Sequence, residues 1–243
     1  DEIREVEMRS QKVFDCYLQM LGSDIPRYFR EKELNERKTC PACQSTQFTD
    51  QFEKLTFNYR TCNDCGTMFV SQRPSDEALY KYHREAESHR YYVNEYLLTL
   101  KTQQADRFLN PRVNWILDSI LEYDSPKNAF LDLRSKYPLL LDKIRDENEF
   151  SRLFFSRPLF ELDSIPKDGF IEKGAFQSNS DGSLSVITAF DYLDSLFNPE
   201  AFIQQAHRIL ENKGLLFLTT RCISGLDMQI LWANSKSILP PHH

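Results

Sequence analysis

The chain has 243 residues, 41% of them hydrophobic and 27% charged, enough for one sizeable core and one small added module and too apolar for a disordered chain. Its formal charge of −6 argues against a nucleic-acid partner, since a general binder needs a net basic face. No apolar run approaches the ~20 residues of a membrane span and no signal-peptide pattern opens the sequence, so it reads as a cytoplasmic protein with no membrane partner.

The sequence begins at Asp1 with no methionine, as a fragment or a trimmed chain would. Ile3, Val6, Val13, Phe14, Tyr17, Leu18 and Leu21 fall on one helical face, and Gly22 is the predicted C-cap. The mixed charge of the opposite face favours packing on the main body over lying on a membrane. Residues 25–38 read as a connector punctuated by Pro26.

Cys40-Pro-Ala-Cys43 and Cys62-Asn-Asp-Cys65 form two C-x2-C pairs separated by 18 residues. Each pair presents two thiolates to one metal, and two pairs supply four tetrahedral ligands. Gly66 follows the second pair, where a tight turn is expected, and Phe48, Phe52, Leu55, Phe57 and Tyr59 suit short strands between the pairs. The stretch 39–73 therefore reads as a zinc ribbon. Two disulfides or four unrelated thiols are the alternatives, and the spacing without a secretory signal favours zinc. Four sulfur ligands leave no open coordination position, so the expected role is structural. Cys16 and Cys222 stand apart and are expected as buried small apolar residues.

Pro74, Ser75, Asp76 and Glu77 give a helix start, and residues 79–100 continue it with Tyr80, Tyr82, Tyr91, Tyr92, Tyr96, His83 and His89. Aromatic packing explains that composition better than a substrate wall. Asn110 and Pro111 read as N-cap and first helical residue of a helix whose stripe is Val113, Ile116, Leu117, Ile120 and Leu121. From residue 128 onward strands alternate with helices, at 129–133, 153–155, 170–171, 184–189 and 215–220, and Asn198-Pro199 opens a helix. Short apolar strands separated by helices predict an α/β fold with a mostly parallel sheet covered on both faces. The predicted organisation is a helix and connector over 1–38, the ribbon over 39–73, a helical segment over 74–127 and a Rossmann-like domain over 128–243.

The stretch NAFLDLRSKYPLLLDKI, from Asn128 to Ile144, reads strand, turn, helix and resembles motif I of class I S-adenosylmethionine-dependent methyltransferases. The run SVITAFDYLDSLFNPEAFIQQAHRILENKGLLFLTTRCISG, from Ser185, resembles the second half of the same fold, with Asp191, Leu193, Leu196, Pro199, Leu210, Gly214 and Thr219 matching its pattern. The ribbon followed by Pro-Ser-Asp-Glu, and the terminal Pro240-Pro241-His242-His243, resemble a bacterial subgroup that includes sugar C-methyltransferases.

That resemblance implies a Rossmann-like methyltransferase sheet and S-adenosylmethionine as cofactor, and it assigns Asp132, Arg134 and Ser135 to the motif I position and Asp191 to the cofactor side of the fourth strand. The chemistry-bearing positions depart from the pattern. Arg134-Ser135-Lys136-Tyr137 replaces the glycine loop, and no glycine occurs between Gly66 and Gly169. Side chains there deny the close backbone approach a nucleotide needs. Ser156-Arg157-Pro158 stands where an acid normally accepts the ribose hydroxyls, with Glu161 further on, and Asp194-Ser195 stands where the family has a Glu-His pair. The expectation is a methyltransferase-like zinc protein with no catalytic residue assigned, which has lost S-adenosylmethionine binding and acts as a non-catalytic binding or regulatory partner. The alternative is an active methyltransferase of a sugar-like small molecule with an unusual cofactor loop. About five strands precede Thr220, fewer than the seven the resemblance implies, so the sheet is expected to be truncated, with an exposed edge for a protein partner or for self-association.

Overall fold

Five parallel strands organise the second half of the chain: β6 (Ala129–Leu133), β7 (Arg152–Ser156), β8 (Ile171–Lys173), β9 (Leu184–Phe190) and β10 (Leu210–Thr219), in the spatial order β10-β9-β6-β7-β8. The ribbon and its helices in the first half use β1 (Leu34–Glu36), β2 (Phe48–Lys54), β3 (Phe57–Cys62), β4 (Met68–Val70) and β5 (Gln72–Pro74). The computed structural model describes residues 11–30, 33–97, 105–133, 139–156, 171–173, 176 and 180–241. They divide into two units. The first takes its residues from Asp1–Thr99, Phe197–Pro199 and Arg221–His243, the second from Leu100–Leu196 and Glu200–Thr220.

The first unit is led by helix α1 (Gln11–Tyr28), followed by α2 (Asp76–Glu85) and α3 (Glu87–Tyr91). The expected cap at Gly22 does not form. The helix runs on through Pro26, because Leu21, Ile25 and Tyr28 continue the buried stripe and outweigh the backbone bond that proline removes. The expected connector contains β1, which pairs antiparallel with β5 from Leu34↔Pro74 to Glu36↔Gln72. The single helix expected over 79–100 is broken at Ala86, whose extended backbone (ψ 135°) ends α2 and begins α3. A π-helical turn, Tyr92–Leu97, follows. Ser75 caps α2 as expected, accepting a bond from the Ala78 amide at 3.1 Å. Tyr82 and Tyr92 pack as core, whereas Tyr80 is exposed: Tyr82 is fully buried and meets Tyr28 edge-on at 5.8 Å and Phe29 obliquely at 5.1 Å, while Tyr92 meets Tyr17 at 5.0 Å. Helix α7 (Leu226–Leu231) completes the set in this unit, with Met228, Ile238 and Leu239 buried. The apolar composition of residues 223–239, with Met228, Ile230, Leu231, Trp232 and Ile238, predicts a tail packed on the body; Met228 and Ile238 are buried, whereas Ile230 is exposed.

In the second unit, helices α4 (Ala105–Glu122), α5 (Leu139–Asp146) and α6 (Pro199–Ile209) cover the parallel sheet. The alternation of the strands decides what lies where. Phe130, Val186, Phe190 and Phe217 share a core with Leu109, Val113, Ile116 and Ile120 of α4 and Leu140 and Ile144 of α5. Ala129, Leu131, Leu133, Ile187 and Ala189 pack instead with Phe202, Ala206 and Ile209 of α6. Both faces are therefore sealed, and every residue of β6 and β9 is buried. Each large side chain in such a core contributes roughly 1.5–3 kcal/mol.

Asn110 and Pro111 do not start α4. The helix begins earlier, at Ala105, and Pro111 lies inside it, because Leu109 extends the buried stripe backward by a turn. The fifth strand begins at Leu210 rather than 215 and shifts register between Leu210 and Leu215. Gly214 sits at that irregularity, where a Cβ would meet the Glu211 carbonyl at 2.8 Å, so no larger residue fits without a shift.

Counted along the chain, the sheet order is 5-4-1-2-3, that of a doubly wound α/β sheet. Its direction reverses between β6 and β9, and the carboxyl ends of those two strands frame the crevice where such sheets bind ligands.

Candidate metal centre and strand-end site

Two turns of the same construction hold the four cysteines. In the first, the Cys40 amide donates to the Ser45 carbonyl at 2.8 Å and the Gln44 amide to the Cys40 carbonyl at 3.0 Å. In the second, the Cys62 amide donates to the Thr67 carbonyl at 2.9 Å and the Gly66 amide to the Cys62 carbonyl at 3.0 Å. Both turns need a left-handed residue four places after the first cysteine, met by Gly66 (φ 74°) and by Gln44 (φ 62°). The sequence marked Gly66; nothing in it marked Gln44 as its counterpart.

These turns bring all four Sγ atoms within 4.8 Å of one another. Cys40 and Cys65 lie 3.6 Å apart, and Cys43 and Cys62 3.5 Å. A disulfide has its sulfurs at about 2.05 Å, so these are free thiols at a wider spacing. A tetrahedral zinc site with Zn–S bonds of about 2.3 Å places its sulfurs about 3.8 Å apart, and the observed spacing fits one ion at their centre. Cys40 and Cys62 are buried with Phe69 and Phe48, whereas Cys43 and Cys65 face solvent.

Hydrogen bonds to the sulfurs set their acidity. The hydroxyl of Thr67, then its amide, pull the Cys65 thiol down to about 6. The Ser45 amide lowers the Cys43 thiol, but the neighbouring thiols and partial desolvation together push it up to about 12. Burial raises Cys40. Thr67 therefore belongs to the surroundings of the metal centre, a role the C-x2-C pattern does not reveal.

The strand-end residues sit in the second unit. Asp132 is fully buried near the end of β6, and its Oδ1 accepts a bond from Thr188 Oγ1 of β9 at 2.7 Å, directly across the ladder. Asp191 follows β9 in a left-handed conformation (φ 52°). Its amide donates to Thr219 Oγ1 at 2.9 Å, Thr219 Oγ1 donates back to Asp191 Oδ1 at 3.0 Å, and Arg112 approaches Oδ2 at 3.5 Å. Arg112 also stacks on Phe190, 4.6 Å from the ring centre. Ser195 donates to the Tyr192 carbonyl at 2.7 Å within the turn Leu193–Ser195. Arg134, Ser135, Lys136, Tyr137, Arg157, Pro158 and Glu161 lie outside the described residues. Cys222 departs from its expected burial. It is exposed, in a turn closed by the Gly225 amide on the Cys222 carbonyl at 3.0 Å, with its sulfur 2.9 Å from Ser224 Oγ, and Cys16 is only half-buried.

No family model and no curated protein matches the chain. Among solved structures it is similar to a chain of the "Complex between the Haloferax volcanii Trm112 methyltransferase activator and the putative methyltransferase". The TM-score is 0.36 and the identity 15%, over 51% of this chain and 59% of that one. The chain thus spans under two thirds of its neighbour's length, and a likeness of that strength says nothing of activity.

Proposed function

We propose that the chain is a zinc-stabilised, methyltransferase-like protein that does not use S-adenosylmethionine and works by protein contact, as a partner or regulator. The observation that carries this reading is the engagement of both strand-end acids. Asp132 is fully buried inside the sheet with its Oδ1 held by Thr188, and Asp191 is held by Thr219 and Arg112, so a ligand that drew on these bonded oxygens would have to displace a partner. Losing a charge-assisted bond of this kind costs about 1.5–3 kcal/mol each. The glycine-free sequence at 134–137 supports the same reading, since a nucleotide-like ligand needs close approach of the backbone. Zinc at Cys40, Cys43, Cys62 and Cys65 is structural in it, holding the ribbon's two turns together.

A second reading, an active methyltransferase of a sugar-like small molecule, is favoured by the strand order, which provides a switch-point crevice. Calorimetric titration of the zinc-loaded chain with S-adenosylmethionine separates the two. The expected result is no heat and no thermal shift up to millimolar ligand. Micromolar binding sinks the first reading and restores the second.

A further inference from the structure

The short ladder of β1 and β5 brings two like charges together. Its register sets Asn35 against Arg73, and the Arg37 amide continues it by donating to the Ser71 carbonyl at 2.8 Å. Residues 37 and 73 are therefore diagonal neighbours on one face of the ladder, a spacing at which long side chains meet. Phe197, which belongs to the same unit, lies against both. The guanidinium carbon of Arg37 stands 4.5 Å from the centre of its ring and that of Arg73 5.2 Å. Arg37 Nη2 also donates to the Phe197 carbonyl at 2.7 Å, which fixes this guanidinium to the backbone.

The charges of this cluster do not balance. Arg73 meets Asp76 at 2.9 Å, and with Asp76 largely in solvent that pair contributes little. Arg37 is half-buried, and no carboxylate pairs with it among the described residues. Burial, and then the like charge of Arg73, draw Arg37 below its ordinary value, with the Cys40 sulfur opposing them. A guanidinium has five N–H donors, and the Phe197 carbonyl takes one of those on Arg37. Phe197 itself is 49% exposed, so the ring that the two cations flank is open to solvent.

We propose that Arg37, Phe197 and Arg73 form the docking site for an acidic segment of a protein partner, one that carries two carboxylates beside an apolar side chain. A carboxylate matches the planar fork of a guanidinium, and the apolar side chain covers the open ring. Arginine and aromatic residues are the ones that concentrate binding energy at the centres of interfaces. With the ring half in solvent, the three side chains make an open surface, which suits a chain segment better than a small molecule that needs enclosure. The chain carries a net charge of −6, so an acidic partner is repelled by the molecule as a whole and drawn to this spot, which fixes where it lands. The proposal rests on the protein-contact reading above and deepens it by giving the chemistry of the partner.

Titration of the zinc-loaded chain with the peptide acetyl-Glu-Leu-Glu-amide tests it, followed by nuclear magnetic resonance at the arginine Nε–H and phenylalanine ring signals. The expected result is saturable shifts at Arg37, Arg73 and Phe197 that weaken several-fold between about 20 and 300 mM salt and are absent with acetyl-Gln-Leu-Gln-amide. Arg73→Gln leaves the bond from Arg37 to Phe197 in place and should weaken the peptide about threefold with zinc content unchanged. The parent needs no variant to refute the site: shifts confined to other residues, or reproduced by the glutamine peptide, overturn it. So does an Arg73→Gln chain that binds the peptide as the parent does. Tighter binding of phenyl phosphate than of the peptide makes this a small-molecule phosphate site and overturns the docking proposal. A chain that ignores both the peptide and S-adenosylmethionine refutes the docking site while leaving the protein-contact reading standing.

Discussion

His89 is nearly inaccessible, at 3% exposure, and lies with its Nδ1 3.4 Å from that of His83 and its ring 5.7 Å from Tyr82. The adjacent Ser88 amide is capped by the buried carboxylate of Asp24 at 2.8 Å. Burial, and then the neighbouring His83, hold the His89 imidazole down to about 3. Its ordinary value is near 6.5, so between those limits the unfolded chain binds a proton that the folded chain refuses. Stability is therefore undiminished above pH 6.5 and falls as the pH drops through that window, by about 1.4 kcal/mol for each unit. His89→Gln should flatten the dependence between pH 6.5 and 5 in urea titrations followed by circular dichroism, whatever it costs at neutral pH. An unchanged slope in the variant would refute this account. Neither the burial of His89 nor its neighbour was readable from spacing, because His83 and His89 meet only through the break at Ala86.

The hairpin between β2 and β3 closes from Lys54 to Phe57 with two residues, Leu55 (φ 51°) and Thr56 (φ 67°), both left-handed. That is the turn in which asparagine and glycine are favoured, and a leucine and a threonine there cost about 1–2 kcal/mol apiece. Replacing the pair together, Leu55→Asn with Thr56→Gly, should stabilise the zinc-loaded chain by roughly 1–2 kcal/mol, read from the denaturation midpoint. No change, or a loss, would show that Leu55 contributes packing worth more than the strain. The same element shows why parts of the fold escaped sequence reasoning. Ala129–Leu133 was legible because five apolar or strand-end residues sit between clear punctuation, and the cysteine pairs because their ligands are fixed in number and spacing. The strands of the ribbon were legible only in outline, since their turn lacks its usual residues. The end of α1 and the start of α4 were misread because glycine and proline are strong local signals, yet a continuous buried stripe overrode both.

At the scale of the molecule, the two units rest on different supports. The sheet unit is sealed by apolar residues on both faces, whereas the cysteines of the ribbon sit on a small cluster, Cys40, Cys62 and Phe69 with Phe48 beside them, next to the buried Phe57 and Tyr59 of β3, so a metal at the cysteines is expected to carry much of the ribbon's stability. Removing zinc with a chelator should speed hydrogen exchange throughout β2, β3 and β4 while β6 and β9 keep their protection. Cys40→Ser should reproduce that pattern with well under one equivalent of zinc bound, because three thiolates cannot close the site. Loss of protection in β6 and β9 at the same chelator concentration would mean that the sheet depends on the ribbon.

The first unit is also assembled from distant parts of the chain. Lys54 donates to the Ser235 carbonyl at 2.8 Å, across 181 positions, and Phe52 meets Trp232 at 5.6 Å. The first unit therefore closes only when segments 181 positions apart have met, whereas the sheet unit draws on residues between Leu100 and Thr220. Contacts of so great a sequence separation form slowly, so the surroundings of the ribbon set the pace at which the first unit becomes complete.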